Sequence, residues 1–200
     1  GEPDFTTPKN IIEAAKRALD QGQTHYCPAT GIPGLREAIA EEISRTRGIK
    51  VNPSQVAVTP GGKPIILFSI LACVNPGDEV IYPNPGFPIY ESVINIVGAK
   101  PVPLPLREEN GFRVDLVELR SLVNKRTRML ILNSAHNPTG GMLTKQDLEE
   151  ISEIVAPYDF MILSDEIYGR TTYDAPHVSI ASVPGMQERT IILDGFSKTF

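Results

Sequence analysis

A lysine near the end of the sequence is the residue with the clearest chemical potential. Lys198 lies in Asp194-Gly195-Phe196-Ser197-Lys198-Thr199-Phe200, soon after the apolar run Thr190-Ile191-Ile192-Leu193. The run predicts a buried strand, which places the lysine at the mouth of that strand beside glycine and serine. A crowded lysine loses its charge readily, and a neutral amine forms a Schiff base with an aldehyde. A lysine that ends a strand is more often simply solvated, so the hypothesis depends on the other motifs.

Three upstream motifs carry residue types that suit a cofactor site. They are Gly61-Gly62-Lys63, Asn137-Pro138-Thr139-Gly140 and Ser164-Asp165-Glu166-Ile167-Tyr168. Glycines at a helix start let the backbone approach a ligand, and the N–H groups and helix dipole attract phosphate. Asp165 and Tyr168 are close enough in sequence for one turn to aim both at one ring. Each motif alone is equally typical of an ordinary turn or a surface pair.

Helix and strand signals alternate along the chain and indicate how these motifs are positioned. Helices are predicted over residues 8–21, 34–47, 65–74, 87–97, 114–124 and 143–155, the last with Thr144 as N-cap and Asp147 in a capping box. Strands are predicted over 56–59, 79–82, 129–132, 160–163 and 190–193, with a proline-interrupted edge over 100–106. The helix over 65–74 is apolar nearly all round, so we expect it to be fully buried.

This alternation predicts an α/β fold with a mainly parallel sheet and helices on both faces. Ligands of such sheets gather beyond the carboxyl ends of the strands. Gly61-Gly62, Asn137, Asp165 and Lys198 each follow a different predicted strand. We therefore expect one shared pocket at that edge of the sheet.

Composition argues against several classes of protein. The net charge is -5 and no stripe of Lys or Arg is present, which argues against a nucleic-acid surface. No apolar stretch reaches the roughly 18 residues that a membrane span needs. Cys27 and Cys73 lie far apart, which indicates reduced thiols and a cytoplasmic protein. The three histidines lack metal-ligand spacing, so no metal site is predicted.

Together the motifs match the needs of one cofactor, pyridoxal 5′-phosphate. Its aldehyde needs a lysine, its phosphate a cradle, and its ring an anion, hydrogen-bond donors and an aromatic stacking face. Phe87, in Asn84-Pro85-Gly86-Phe87-Pro88, is the candidate for that aromatic face.

With these motifs in this order, the sequence resembles the class I aminotransferases of the aspartate aminotransferase superfamily, which are fold type I pyridoxal-phosphate enzymes. The resemblance runs from Gly1-Glu2-Pro3-Asp4-Phe5, through Tyr26-Cys27-Pro28-Ala29-Thr30-Gly31 and Gly34-Leu35-Arg36, to Ser197-Lys198-Thr199-Phe200. It implies an N-terminal segment over residues 1–20 and an incomplete cofactor-binding large domain over residues 21–200. The small C-terminal domain of the family would lie outside this chain.

The resemblance also implies a role for each motif. Lys198 would bind the cofactor aldehyde and then move the α-carbon proton of the substrate. Asp165 would keep the pyridine nitrogen protonated, and Asn137 and Tyr168 would hydrogen-bond the ring oxygen. Phe87 would stack on the ring.

Phosphate and carboxylate contacts are implied in the same way. Gly62, Lys63 and Ser197 would hold the phosphate, while Tyr26 would reach the phosphate of a neighbouring subunit, which implies a homodimer with shared active sites. Gly1 would lie near the substrate α-carboxylate, and Asn137 is a second candidate substrate contact. One departure is Gly195, which stands where the family often has a phosphate-binding serine.

The implied reaction is transamination between an L-amino acid and 2-oxoglutarate. Lys63 stands where one subgroup carries a lysine for the distal carboxylate, which favours aspartate, although a solvated or phosphate-binding lysine is the alternative. Aromatic or alanine transamination and β-elimination use the same scaffold and stay open. A pyridoxal-phosphate-binding domain of a transcription regulator is a further alternative. A nucleotide-binding domain is disfavoured because GxGxxG and GxxxxGK[ST] are missing.

Overall fold

The computed structural model describes residues 2–200, which form one parallel sheet covered by α-helices. The strands are β1 Glu79–Asn84, β2 Lys100–Pro105, β3 Thr127–Asn133, β4 Met161–Asp165 and β5 Thr190–Leu193. The α-helices are α1 Lys9–Asp20, α2 Pro33–Arg47, α3 Gly62–Cys73, α4 Ile89–Ile96, α5 Leu116–Leu122 and α6 Lys145–Val155. The strand order is β2-β1-β3-β4-β5 and every pairing is parallel. The predicted α/β class is confirmed.

Alternate residues of β1, β3 and β4 pack into two separate apolar clusters, one on each face of the sheet. In β3, Leu130 and Leu132 join the cluster formed with α5 and α6, whereas Met129 and Ile131 join the cluster formed with α3 and α4. Successive side chains of a strand point to opposite faces, so a run that is apolar at every position is buried on both. This explains the interior positions of β1, β3 and β4, whereas the strand predicted as buried over 190–193 forms the edge β5, where only Leu193 is fully buried.

The proline-rich strand β2 lies at an edge of the sheet, as predicted. Its prolines occupy positions 101, 103 and 105, whereas Lys100 N donates to Asp78 O and Leu106 N donates to Asn84 O, each at 2.8 Å. Alternate N–H groups of a strand point to opposite sides. The prolines, which have no N–H, therefore fall on the side away from β1.

The capping box predicted at the start of α6 is present. Thr144 Oγ1 accepts a hydrogen bond from Asp147 N at 3.2 Å, and Asp147 Oδ2 accepts one from Thr144 N at 2.8 Å. These bonds satisfy N–H groups that have no partner within the first helical turn.

The strand predicted over residues 56–59 is wrong. The segment is extended, but in the described part of the chain it pairs with no strand of the sheet. Instead Val58 N donates to Thr30 O at 3.0 Å, and Arg36 Nε donates to Val56 O at 2.9 Å. The β-branched residues favour an extended backbone, yet the loop before α2 and α2 itself supply its partners.

Full burial of α3 is also not observed. Ile66 and Ile70 are buried against the sheet, whereas Phe68 and Leu71 are 56% and 54% exposed. One face of the helix packs on β3, β4, β5 and α4, and the opposite apolar face is open in this chain.

None of the helices within residues 2–200 combines the length and the apolar character that a bilayer crossing needs.

Candidate active site

A cleft of about 450 Å³ lies at the carboxyl ends of the strands. Eight of the residues predicted from the sequence line it: Gly62, Lys63, Phe87, Asn137, Asp165, Tyr168, Ser197 and Lys198. They come from the start of α3, the loop after β1, the loop after β3, the end of β4 and the loop after β5. The expected shared pocket therefore exists, although the glycine pair enters it from an unpaired segment rather than from a strand.

Asp165, the last residue of β4, is the buried acid of the cleft. Its Oδ2 accepts a hydrogen bond from Tyr90 Oη at 2.6 Å, and its Oδ1 accepts one from Ile167 N at 3.2 Å. Burial raises the pKa of the Asp165 carboxyl above its ordinary value, although both hydrogen bonds oppose the rise. A cationic group in the cleft would favour the ionised form of Asp165 and so oppose the rise in the pKa of its carboxyl.

Tyr90, on α4, is a member of the site that sequence reasoning missed. Burial, followed by the nearby Asp165 charge, raises the pKa of its hydroxyl far above the ordinary range, so the hydroxyl stays protonated and donates. Its ring meets Phe87 edge to face, with centroids 5.8 Å apart. Tyr90 therefore fixes both the acid and the aromatic wall.

Asn133, the last residue of β3, is the second member that was missed. Its Nδ2 donates to the carbonyl oxygen of Asp165 at 2.9 Å, and its Oδ1 accepts from Asn137 N at 2.8 Å. One amide side chain thus ties the end of β4 to the loop that carries Asn137. The only sequence signal was a polar residue at the end of an apolar run.

The start of α3 lines the cleft with Gly61, Gly62 and Lys63. Gly61 is the N-cap, has φ +94°, and gives no side-chain cap to the helix. Because only glycine adopts that φ without strain, the turn into the helix depends on it. The N–H groups of Gly62 and Lys63 belong to the first turn, where a helix attracts anions.

Tyr168, Ser197 and Lys198 complete the lining of the cleft. Burial raises the pKa of the Tyr168 hydroxyl, and the charge of Asp165 adds to the rise. This phenol is therefore a hydrogen-bond donor at neutral pH.

One described site residue, Tyr26, is not in the cleft. Tyr26 is fully exposed and does not line it, so its proposed reach to a second subunit stays a prediction. Gly1 lies outside the described residues.

A model of the family described as aminotransferase class I and II matches residues 1–200, and the chain belongs to that family.

Several individual proteins are similar over the whole of this chain. It is 46% identical to an aspartate aminotransferase of Pyrococcus abyssi and 48% identical to aromatic-amino-acid aminotransferase 2 of Thermococcus litoralis, and it covers 52% of each. The crystal structure of an aromatic aminotransferase from Pyrococcus horikoshii OT3 matches with a TM-score of 0.97 at 48% identity, over 100% of this chain and 54% of that one. The chain thus spans about half the length of the relatives it matches.

Proposed function

We propose that the protein is a pyridoxal-phosphate-dependent aminotransferase that moves an amino group between an L-amino acid and 2-oxoglutarate. Aspartate is the favoured amino acid. The observation that carries the proposal is the cleft itself, which gathers Lys198, Asp165, Tyr168 and Asn137 around the start of α3.

The donor set fits pyridoxal phosphate group by group. The backbone at the start of α3 suits a phosphate, and Phe87 offers an aromatic wall. Asp165 is a buried carboxyl with a raised pKa, so a protonated ring nitrogen is a partner that would stabilise its charge. Bound pyridoxal phosphate supplies an aldehyde that condenses with amines and a ring that withdraws electrons from the substrate α-carbon.

Lys198 is the proposed anchor and proton carrier. Its amine enters the cleft from the loop after β5 and would hold the cofactor at rest. When the substrate occupies the cofactor, the released amine of Lys198 would take the proton from the substrate α-carbon and deliver it to the cofactor carbon that had carried the aldehyde. Asn137 and Tyr168 would orient the cofactor by hydrogen bonds to its ring oxygen, and Tyr90 would hold Asp165 in place.

Aspartate is the favoured substrate because Lys63 brings a cationic side chain to the cleft, where it suits a distal carboxylate. An aromatic amino acid is the second candidate, since one relative at 48% identity carries that name.

A comparison of two substrates tests this choice. We expect Lys63→Ala in the intact protein to lower kcat/KM for aspartate about 10- to 100-fold, as loss of a charge-assisted contact would. The value for phenylalanine should change little. Lys63→Arg, which keeps the charge, is the control. Equal loss for both substrates would assign Lys63 to the phosphate instead.

A homodimer with shared sites is part of the proposal. The helix α1 buries no residue in this chain, and Tyr26 extends beyond it fully exposed. A second copy would cover the apolar side of α1 and bring the Tyr26 hydroxyl to a neighbouring phosphate. The cytoplasmic location stays a prediction from the cysteines.

A further inference from the structure

A largely buried group of charged side chains lies next to the cleft, and none of its members lines the cleft. Arg47, the last residue of α2, is at its centre, with Glu166 and Asp194 on either side. The side chains of Arg47 and Glu166 are only 5% and 1% exposed. Buried charges occur rarely unless they are paired, so their position calls for a reason.

The guanidinium of Arg47 joins two strand ends. Its Nε donates to Glu166 Oε2 at 2.9 Å and its terminal nitrogen donates to Asp194 Oδ2 at 2.8 Å. Glu166 directly follows Asp165 at the end of β4, and Asp194 directly follows β5 on the loop that carries Lys198. One side chain therefore bridges the segment of the buried acid and the segment of the reactive amine.

Both carboxylates are engaged on their remaining sides as well. Glu166 Oε1 accepts from Ser164 Oγ at 3.0 Å and from Ser179 Oγ at 2.5 Å, and His177 Nε2 lies 3.0 Å from Oε2. Asp194 Oδ1 accepts from Gly195 N at 2.7 Å, which shapes the first turn of the lysine loop.

The backbone repeats the same link. Glu166 N donates to Leu193 O at 2.8 Å, which continues the pairing of β4 with β5 one residue beyond the strands. Asp165 and Lys198 diverge from this point into the cleft. The separation of the two functional side chains is thus set by a junction in which Arg47 supplies the compensating charge.

We propose that Arg47 is a positioning residue, which holds the ends of β4 and β5 together through Glu166 and Asp194 and thereby keeps Asp165 and Lys198 in register. The planar guanidinium is suited to this task because it offers donors in fixed directions to two carboxylates at once. Without it, the buried carboxylate of Glu166 and the partly buried carboxylate of Asp194 would have no cation between them, and the ends of the strands would separate or take up water. The catalytic consequence rests on the function proposed above, whereas the structural consequence does not.

The test compares three variants of the intact protein. Arg47→Met keeps a similar side-chain volume and removes the charge. Arg47→Lys keeps the charge but loses the planar guanidinium that donates to two carboxylates at once. Arg113→Met is the matched control, because Arg113 also binds a carboxylate, Asp147, at 2.7 Å but contacts neither strand end.

Hydrogen exchange of the cofactor-free protein gives the structural result. We expect Arg47→Met to raise amide exchange in residues 165–169 and 194–200 together, Arg47→Lys to raise it less, and Arg113→Met to leave both segments as in the wild type. Should Arg47→Met fail to fold, Asp194→Asn is expected to raise exchange in 194–200 alone. Exchange in these segments that matches the Arg113→Met control would overturn the proposal.

Cofactor titration and kinetics give the functional result. Misplacement by about 1 Å lowers turnover by about 100-fold, so Arg47→Met should reduce kcat on that scale while KM changes by less. The Kd for pyridoxal phosphate should rise, and Arg47→Lys should restore part of both losses. Wild-type protein that binds no cofactor would refute the function but not the exchange result, whereas active wild type with an equally active Arg47→Met would refute the positioning role.

Discussion

Asp165 shows how a single side chain is prepared for its task by residues that are distant in sequence. Its carboxyl is buried, which alone would favour the neutral acid, and Tyr90 and the backbone of Ile167 supply the hydrogen bonds that counter this tendency. Burial and the hydrogen bonds thus act in opposite directions on the charge of Asp165, and a cationic ligand would favour the ionised form.

Tyr90→Phe should test this arrangement. The change leaves Asp165 Oδ2 without its donor, so we expect the cofactor-free protein to lose about 1–3 kcal/mol of unfolding free energy. The pKa of Asp165 should rise further, and turnover should fall about 10-fold because the ring nitrogen loses a well-held carboxylate. Denaturant unfolding and steady-state kinetics measure the two effects.

Tyr158→Phe is the control, because Tyr158 packs against the opposite apolar cluster and is not part of the cleft. Equal stability and equal turnover in Tyr90→Phe and Tyr158→Phe would show that the bond to Asp165 has no role.

The residues of the site were predictable where their motifs are contiguous in sequence. Asp165, Tyr168, Asn137 and Lys198 belong to short strings next to apolar runs, and those strings indicate chemistry when they are taken together. Tyr90 and Asn133 could not be found in this way, since their partners lie 75 and 32 residues away in the chain. Only the pairing of strands and the packing of α4 bring them to Asp165.

At the scale of elements, one charged side chain joins the strand ends that lie opposite the cleft. Glu79, the first residue of β1, accepts from Asn124 Nδ2 at 2.7 Å, from Arg126 Nε at 2.9 Å and from Lys100 Nζ at 3.0 Å. The hydrogen bond from Asn124 is the largest cause that lowers the pKa of Glu79, which falls from 4.5 to about 2 although burial opposes it. The carboxylate thus joins β1 to β2 and to the turn before β3.

The lowered pKa predicts a stability that depends on pH. A carboxyl whose pKa is lower in the folded state stabilises the protein above its unfolded value of 4.5, and this contribution is lost as pH falls through about 2. Glu79→Gln should therefore be less stable than the wild type at pH 7, and the gap should narrow steadily below pH 4.5. Urea unfolding at a series of pH values measures the gap; a difference that does not vary with pH would contradict the ionic origin.

Helices and strands were predictable where apolar residues recur at a clear helical or strand spacing. The segments with which each of them pairs were not predictable. The cap of α6 and the edge position of β2 follow from Thr144, Asp147 and the prolines. Residues 56–59 have the composition of a strand. Such a composition favours an extended backbone but does not determine whether the segment pairs within a sheet. Whether a sheet edge is available is decided by the rest of the fold, and here Thr30 and Arg36 take that place.

For the whole molecule, the open question is what covers α1 and the outer face of α3. Leu19 on α1 is 64% exposed, and the helix is nevertheless amphipathic. A helix of 12 residues that buries no side chain is marginal in water by itself, so we expect a partner surface to cover it.

Leu19→Asp should weaken the proposed dimer. Burying a carboxylate in an apolar contact is unfavourable, so we expect the variant to dissociate at protein concentrations where the wild type stays dimeric. Asn10→Asp adds the same charge on the exposed polar side of α1 and is the control. Sedimentation velocity measures the state of each protein, and a wild type that sediments as a monomer would contradict the dimer.

The most direct test of the whole account is the absorbance spectrum of the intact protein with pyridoxal phosphate, recorded before and after aspartate is added. We predict a visible band from the cofactor bound at Lys198, which aspartate converts to the amino form of the cofactor and which Lys198→Ala abolishes. A band that responds to another amino acid instead would keep the reaction and change the substrate. A wild-type protein with no band, or a Lys198→Ala variant that keeps both band and turnover, would contradict the assignment of the cleft.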